Sequence, residues 1–262
     1  MSKLLQLQNV EVNFDGFKAL NDLTFQINQG EVRFLIGPNG AGKTTCVDVI
    51  TGLTKPTSGH VEFAGEKITG KSEFDVVKLG IGRTFQNPTV FDDLLVVENI
   101  DLAASYRMSL GKLLRRRKGT TPAVAEALEM IGMTDKAEQP AGVLSHGERQ
   151  WLEIGMLLAQ DPRLLLLDEP VAGMSKPERQ KTGELLHEIA KTRTVLVVEH
   201  DMEFLRDFAS VVTVMHEGTV LCEGDVATVQ ADPTVQEVYL GRGRTAPEDD
   251  ETAPAPAILK GE

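Results

Sequence analysis

The stretch "GPNGAGKTT" at 37–45 sets glycines, a lysine and two threonines in the spacing G-x-x-x-x-G-K-[ST]. Glycines there let the backbone turn successive N–H groups inward, which makes a nest for an anion. Gly37, Pro38, Asn39, Gly40, Ala41, Gly42, Lys43, Thr44 and Thr45 then form a phosphate cradle. Lys43 would reach the β- and γ-phosphates of a nucleotide, and the Thr44 hydroxyl would hold Mg²⁺. A bare glycine-rich turn competes with this reading. The apolar run "EVRFLI" before the motif and the helical spacing of Val47, Ile50 and Leu53 after it favour the cradle.

Two more strand ends carry chemistry. In "LLLLDEP" at 164–170, Asp168 is placed to partner Mg²⁺ and Glu169 to act as general base on a water. An acidic pair after a strand is by itself more often a helix cap. The phosphate loop tips the balance. "VLVVEHDM" at 195–202 delivers His200 to the same sheet edge, where it can contact the γ-phosphate. Gln86 in "RTFQNP" can offer its amide oxygen to the metal. In "LSHGERQ" at 144–150, Ser145 and Glu148 have capping-box spacing ahead of Trp151, Leu152 and Ile154. A capped helix N-terminus still aims N–H groups outward, so Ser145, Gly147 and Glu148 are candidates for phosphate binding.

The elements that must position these residues are set by periodicity. Leu5, Leu7, Val10 and Val12 alternate as a half-buried strand, "LTFQI" at 23–27 is a second, and 60–68 reads as a hairpin. "LLLL" at 164–167 and "VLVV" at 195–198 do not alternate, as expected of strands buried on both faces of a parallel sheet. Residues from about 91 to 160 are mostly helical in pattern, and "VVTVMHEGTVLCEG" is a strand and hairpin. Residues 242–262 are rich in Pro, Ala and acids and should be a disordered tail. The basic run "KLLRRRKG" at 112–119 reads as a solvated face, with acidic lipid headgroups as the other candidate.

Composition narrows the function class. The chain has 262 residues and a net charge of −12, from 39 acidic and 27 basic side chains. Such a surface repels phosphate backbones, so nucleic acid is not an expected partner. Two cysteines fit a reducing compartment, and no leader or membrane-length apolar run is visible. A soluble, cytosolic chain is expected.

Together the phosphate loop, Gln86, the LSGGQ-like signature at 144–148, "LLLLDEP", the loop "AGMS" at 172–175 and His200 resemble the nucleotide-binding subunit of an ABC transporter. "RTFQNPTVFDDLLVVENI", "EHDMEFL" and "DPTVQEVYLG" resemble the branched-chain amino acid and urea uptake group; "HGERQWLEIGMLL" and "PVAGM" are most similar to its urea importers. The resemblance implies a P-loop NTPase: an α/β fold with a RecA-like parallel-sheet core, an N-terminal antiparallel β subdomain and a helical subdomain at about 91–160, all within 1–241. It implies ATP and Mg²⁺ as cofactors, and Phe14 as the aromatic that stacks on adenine. A core position for Phe14 stays open, with Phe17 nearby. Implied partners are a second cassette bound head to tail, membrane permeases and, through them, a solute-binding protein, on the inner face of the membrane. Urea is the expected cargo, with a branched-chain amino acid importer or a soluble, non-transport ABC ATPase as alternatives. His146 replaces the first glycine of the commoner signature, which is tolerable if that position needs no positive φ; when protonated, its ring could add a phosphate contact.

Overall fold

The structure, a computed structural model, describes residues 2–84, 90–105 and 120–240. Gln86, the basic run at 112–119 and the tail from 242 lie outside them.

Strands β1 (Lys3–Phe14) and β2 (Phe17–Asn28) form an antiparallel hairpin. Its two-residue turn is Asp15–Gly16, with φ of 49° and 97°, the doubly positive geometry that an Asp-Gly pair supplies. β4 (Ser58–Phe63) pairs with β1, and β5 (Glu66–Lys67) with β4, giving an antiparallel sheet of order β2-β1-β4-β5.

A second sheet has the order β10-β9-β3-β8-β7-β6. β3 (Val32–Ile36), β6 (Ile81–Arg83), β7 (Leu164–Asp168), β8 (Thr194–Val198) and β9 (Val211–His216) pair in parallel; β10 (Thr219–Gly224) returns antiparallel on β9. β3, β7 and β8 are buried throughout, which is why their sequences run largely apolar without alternation; the exception in β3 is Arg33, paired with Glu31 and Glu223. Their side chains still alternate between two cores. Leu35, Leu164, Leu166, Leu196 and Val198 join the first sheet and helix α1 (Lys43–Thr51). Val32, Phe34, Leu165, Leu167, Val195 and Val197 pack into the other core with the later helices.

Those helices are α2 (Glu73–Leu79), α3 (Val96–Ala104), α4 (Pro122–Met130), α5 (His146–Leu158), α6 (Lys176–Ala190), α7 (Met202–Phe208), α8 (Val226–Ala231) and α9 (Pro233–Leu240). The helical pattern expected over 91–160 is present as α3 to α5. Among the described residues, Ile100, Leu128 and Leu152 of these helices belong to the same apolar cluster as Leu165 and Leu167. Within the helical set α4 and α5 approach closely, since a Cβ at Gly155 of α5 would lie 2.6 Å from Ile131.

Strand order alone assembles the chemistry. β3, β8, β7 and β6 are successive neighbours, and Leu35 pairs with Val198, which pairs with Asp168. Their carboxyl ends are therefore level, and the loop leaving each strand meets the loop leaving its neighbour. A ligand is expected at such an edge.

Candidate active site

The loop after β3 is held by what its glycines permit. Gly42 caps α1 at φ 97°, and a Cβ there would lie 2.6 Å from the Ala19 carbonyl and 2.9 Å from Leu20. A Cβ at Gly37 would lie 2.3 Å from the Met215 carbonyl. Both positions therefore exclude side chains. Gly42 offers no side-chain cap, so the first N–H groups of α1 stay available to an anion. The Lys43 ammonium donates to the carbonyls of Gly37 (2.7 Å) and Pro38 (3.1 Å) across the mouth of the loop. Burial pushes its pKa below the ordinary lysine value, opposed by the nearby Glu169 and Asp168 carboxylates.

Asn39, Gly40, Ala41, Gly42, Lys43, Thr44 and Thr45 line a cleft of about 270 Å³ together with Phe17, Ala19, Asp168, Glu169 and Val198. Asp168 is buried at the end of β7, 3.4 Å from the Arg83 guanidinium, which also holds Asp48 at 2.5 Å. Burial raises the Asp168 pKa, while Arg83 pulls it back. Glu169 is a non-glycine residue at φ 50°, a sparsely populated conformation that collects at working sites. Its N–H donates to the Val198 carbonyl at 2.9 Å, which ties the turn to β8. His200 Nδ1 lies 3.2 Å from Glu169 Oε1. Buried Glu199 braces the histidine turn by accepting from the N–H groups of His200 (2.8 Å), Asp201 (3.1 Å) and Val171 (3.4 Å).

Phe14 is half exposed, which removes the core reading, but Phe17 across the hairpin is the aromatic on the cleft wall. Ser145, Gly147 and Glu148 do not line the cleft either. They open α5 as the capping box that their spacing predicts: the Ser145 hydroxyl accepts from the Glu148 N–H at 3.3 Å, and the Glu148 carboxylate from the Ser145 N–H at 2.9 Å. Glu148 also pairs with Lys136, which depresses its pKa. Glu148 thereby supports the helix end, and its expected part in nucleotide binding stays a proposal beside that role. His146 has no positive φ, as tolerance requires. Its Nε2 lies 3.1 Å from the Ala172 carbonyl. Arg83 and Glu199 are functional neighbours that motif spacing misses; a charged residue in or beside an apolar buried strand is the signal that could have found them.

A family profile described as "ABC transporter" matches residues 20–172, more than half of the chain. The chain belongs to the ABC transporter ATP-binding subunits. A second profile, "Branched-chain amino acid ATP-binding cassette transporter", matches residues 219–245. The high-affinity branched-chain amino acid transport ATP-binding protein BraF of Pseudomonas aeruginosa is 32% identical over 252 residues, covering 91% of this chain and 98% of BraF. LivG of Escherichia coli is 32% identical over 249 residues with the same shares. This ABC subunit therefore falls in the branched-chain amino acid group, and its fold is that of the ABC ATPases. A solved ATP-binding cassette of an ABC transporter in its ADP conformation superposes with a TM-score of 0.81 at 31% identity, covering 92% of this chain and all of the other. The subunit is an ATPase of the transport-coupled kind. Among the described residues, no helix is long and apolar enough to cross a membrane.

Proposed function

We propose that this subunit hydrolyses ATP as one half of a head-to-tail pair that drives a solute importer. The observation that carries the reading is the division of its own parts. The phosphate loop, Asp168 and Glu169 share one cleft, while the signature residues Ser145 and Gly147 open a helix outside it. A second cassette supplying its signature helix across the cleft completes both sites at once. A related ATP-binding cassette, 26% identical with a TM-score of 0.68, is dimeric in a post-hydrolysis state bound to ADP and Pi.

In this reading the glycine-shaped loop and the α1 N-terminus hold the phosphates, and Lys43 moves from its carbonyls to the β- and γ-oxygens. Glu169 takes the proton of the attacking water, and His200, braced by Glu199, orients that carboxylate and reaches the γ-phosphate. Phe17 offers the adenine a face, with Phe14 beside it. Thr44 and Asp168 form the hard oxygen pair suited to Mg²⁺, an ion that keeps several waters and takes few protein ligands; Gln86 is the third proposed donor. When bound, the metal neutralises phosphate charge.

The proposed setting is the inner face of the membrane, with permease subunits and, through them, a solute-binding protein. Urea is the proposed cargo on the wording of "HGERQWLEIGMLL" and "PVAGM"; branched-chain amino acids are the second reading, supported by the names of BraF and LivG. Uptake of radiolabelled urea and leucine by cells lacking the subunit, with and without the restored gene, tests the choice. Loss of leucine uptake alone would replace urea as the cargo, and loss of neither would remove both.

A further inference from the structure

His146 is the bulky residue that stands between Ser145 and Gly147, and its ring reaches out of its own helix. The Ala172 carbonyl can only accept, so the Nε2 facing it at 3.1 Å is a donor. The Ala172 N–H, in turn, donates to the Glu169 carbonyl at 3.1 Å. Ala172 thus receives the imidazole at its carbonyl and is bonded through its N–H to the backbone of the general base. The ring also lies beside Gly173, whose φ is 70°: a Cβ there would be in contact with the imidazole edge at 3.4 Å. Gln150, one helical turn along the same face, approaches the same carbonyl at 3.5 Å. Farther along, the Trp151 indole donates to Thr182 at 2.9 Å, and Thr182 lies 3.3 Å from the Met174 sulfur. Helix α5 therefore grips the turn after Glu169 at its start and along its length.

We propose that His146 is a positioning residue that fixes the turn carrying Glu169 to the signature end of α5. The inference rests on the head-to-tail reading. In that arrangement α5 serves the partner's nucleotide while Glu169 serves the subunit's own, so the imidazole links the two sites through one subunit. It does so without touching either nucleotide. A strained residue such as Glu169 holds its carboxylate in place only while its turn is held.

The imidazole Nε2 is reproduced in reach by the amide nitrogen of glutamine and not by the shorter asparagine. The full-length subunit, assembled with its permeases, is assayed for ATP hydrolysis as wild type and as His146→Gly, His146→Gln and His146→Asn. His146→Gly should lower kcat about three- to ten-fold, the usual worth of one neutral hydrogen bond, with KM for ATP unchanged. His146→Gln should restore kcat and His146→Asn should not. A wild-type kcat in His146→Gly, equal rescue by glutamine and asparagine, or a raised KM at constant kcat would each overturn the role, the last by placing the ring on the nucleotide. Absence of hydrolysis in the wild type would instead remove the ATPase reading beneath it.

Discussion

His200 Nδ1 and Glu169 Oε1 stand 3.2 Å apart at the ends of adjacent strands. That distance puts an imidazole nitrogen within ion-pairing reach of the proposed general base. A neutral imidazole donates from one ring nitrogen only, and an imidazolium from both, so a ring that meets Glu169 and a phosphate oxygen together as a donor does so as the imidazolium. Under the proposed function, the histidine is placed to orient Glu169.

Glu169→Gln keeps an oxygen for His200 and removes the proton acceptor. Phosphate release should fall at least about a hundredfold, the low end of what a general base contributes, while ATP binding is retained. The variant should also accumulate ATP-dependent dimer on size-exclusion chromatography. Near-normal phosphate release would take the base role away from Glu169.

Lys43→Ala acts on binding itself. The ammonium now satisfies two loop carbonyls, and those carbonyls can turn to water when it is lost. The charged hydrogen bonds to phosphate cannot be replaced in this way. Affinity for ATP should drop about ten- to a hundred-fold by nucleotide titration. Unchanged affinity would mean that the loop is not the phosphate site.

Asp168 makes stability depend on pH in a stated direction. Burial raises its pKa above that in the unfolded chain, so the native state keeps the proton longer. The contribution is fully present below the ordinary aspartate value of about 4 and is lost as pH rises through the raised value. Buried Glu199 is shifted the same way and adds to the slope. Asp168→Asn removes one of the two groups, so its denaturation midpoint without nucleotide should decline less with rising pH than that of the wild type. Identical slopes in urea melts would show that Asp168 is not the source.

Legibility in the sequence depends on how local each signal is. The phosphate loop, Asp168 and His200 are legible because each closes a strand apolar on both faces. The capping box of Ser145 and Glu148 is legible for the same reason, its partners lying three residues apart. Arg83 with Asp48, or His146 with Ala172, pairs residues far apart in sequence, and only the strand order and helix packing bring them together. Phe14 and Phe17 show a different limit. A two-residue turn places both at the same register, so the sequence marks an aromatic pair without saying which one faces the cleft.

The tail from 242 should be dispensable for hydrolysis, since its composition cannot bury a core. Truncation after Gly241 should leave kcat and the melting temperature unchanged. Loss of either would show that the tail docks on the cassette.

Gly147 must be small for a reason distinct from phosphate binding. A Cβ there would lie 2.6 Å from Glu178 Oε1 and 3.0 Å from Glu178 Cδ. The other carboxylate oxygen, Oε2, caps α6 by accepting from the Ser175 N–H at 2.8 Å and the Ser175 hydroxyl at 2.6 Å. Gly147→Ala must then turn the Glu178 carboxylate about the oxygen that makes the cap, which strains that cap. Loss of a cap costs about 0.5–2 kcal/mol, so the melting temperature should fall by a few degrees. The loss should vanish when the obstruction is removed first. In a Glu178→Ala background, adding Gly147→Ala should cost little further stability, a coupling that a double-mutant cycle measures. An undiminished cost in that background would place the crowding elsewhere and leave the requirement for glycine to the phosphate contact alone.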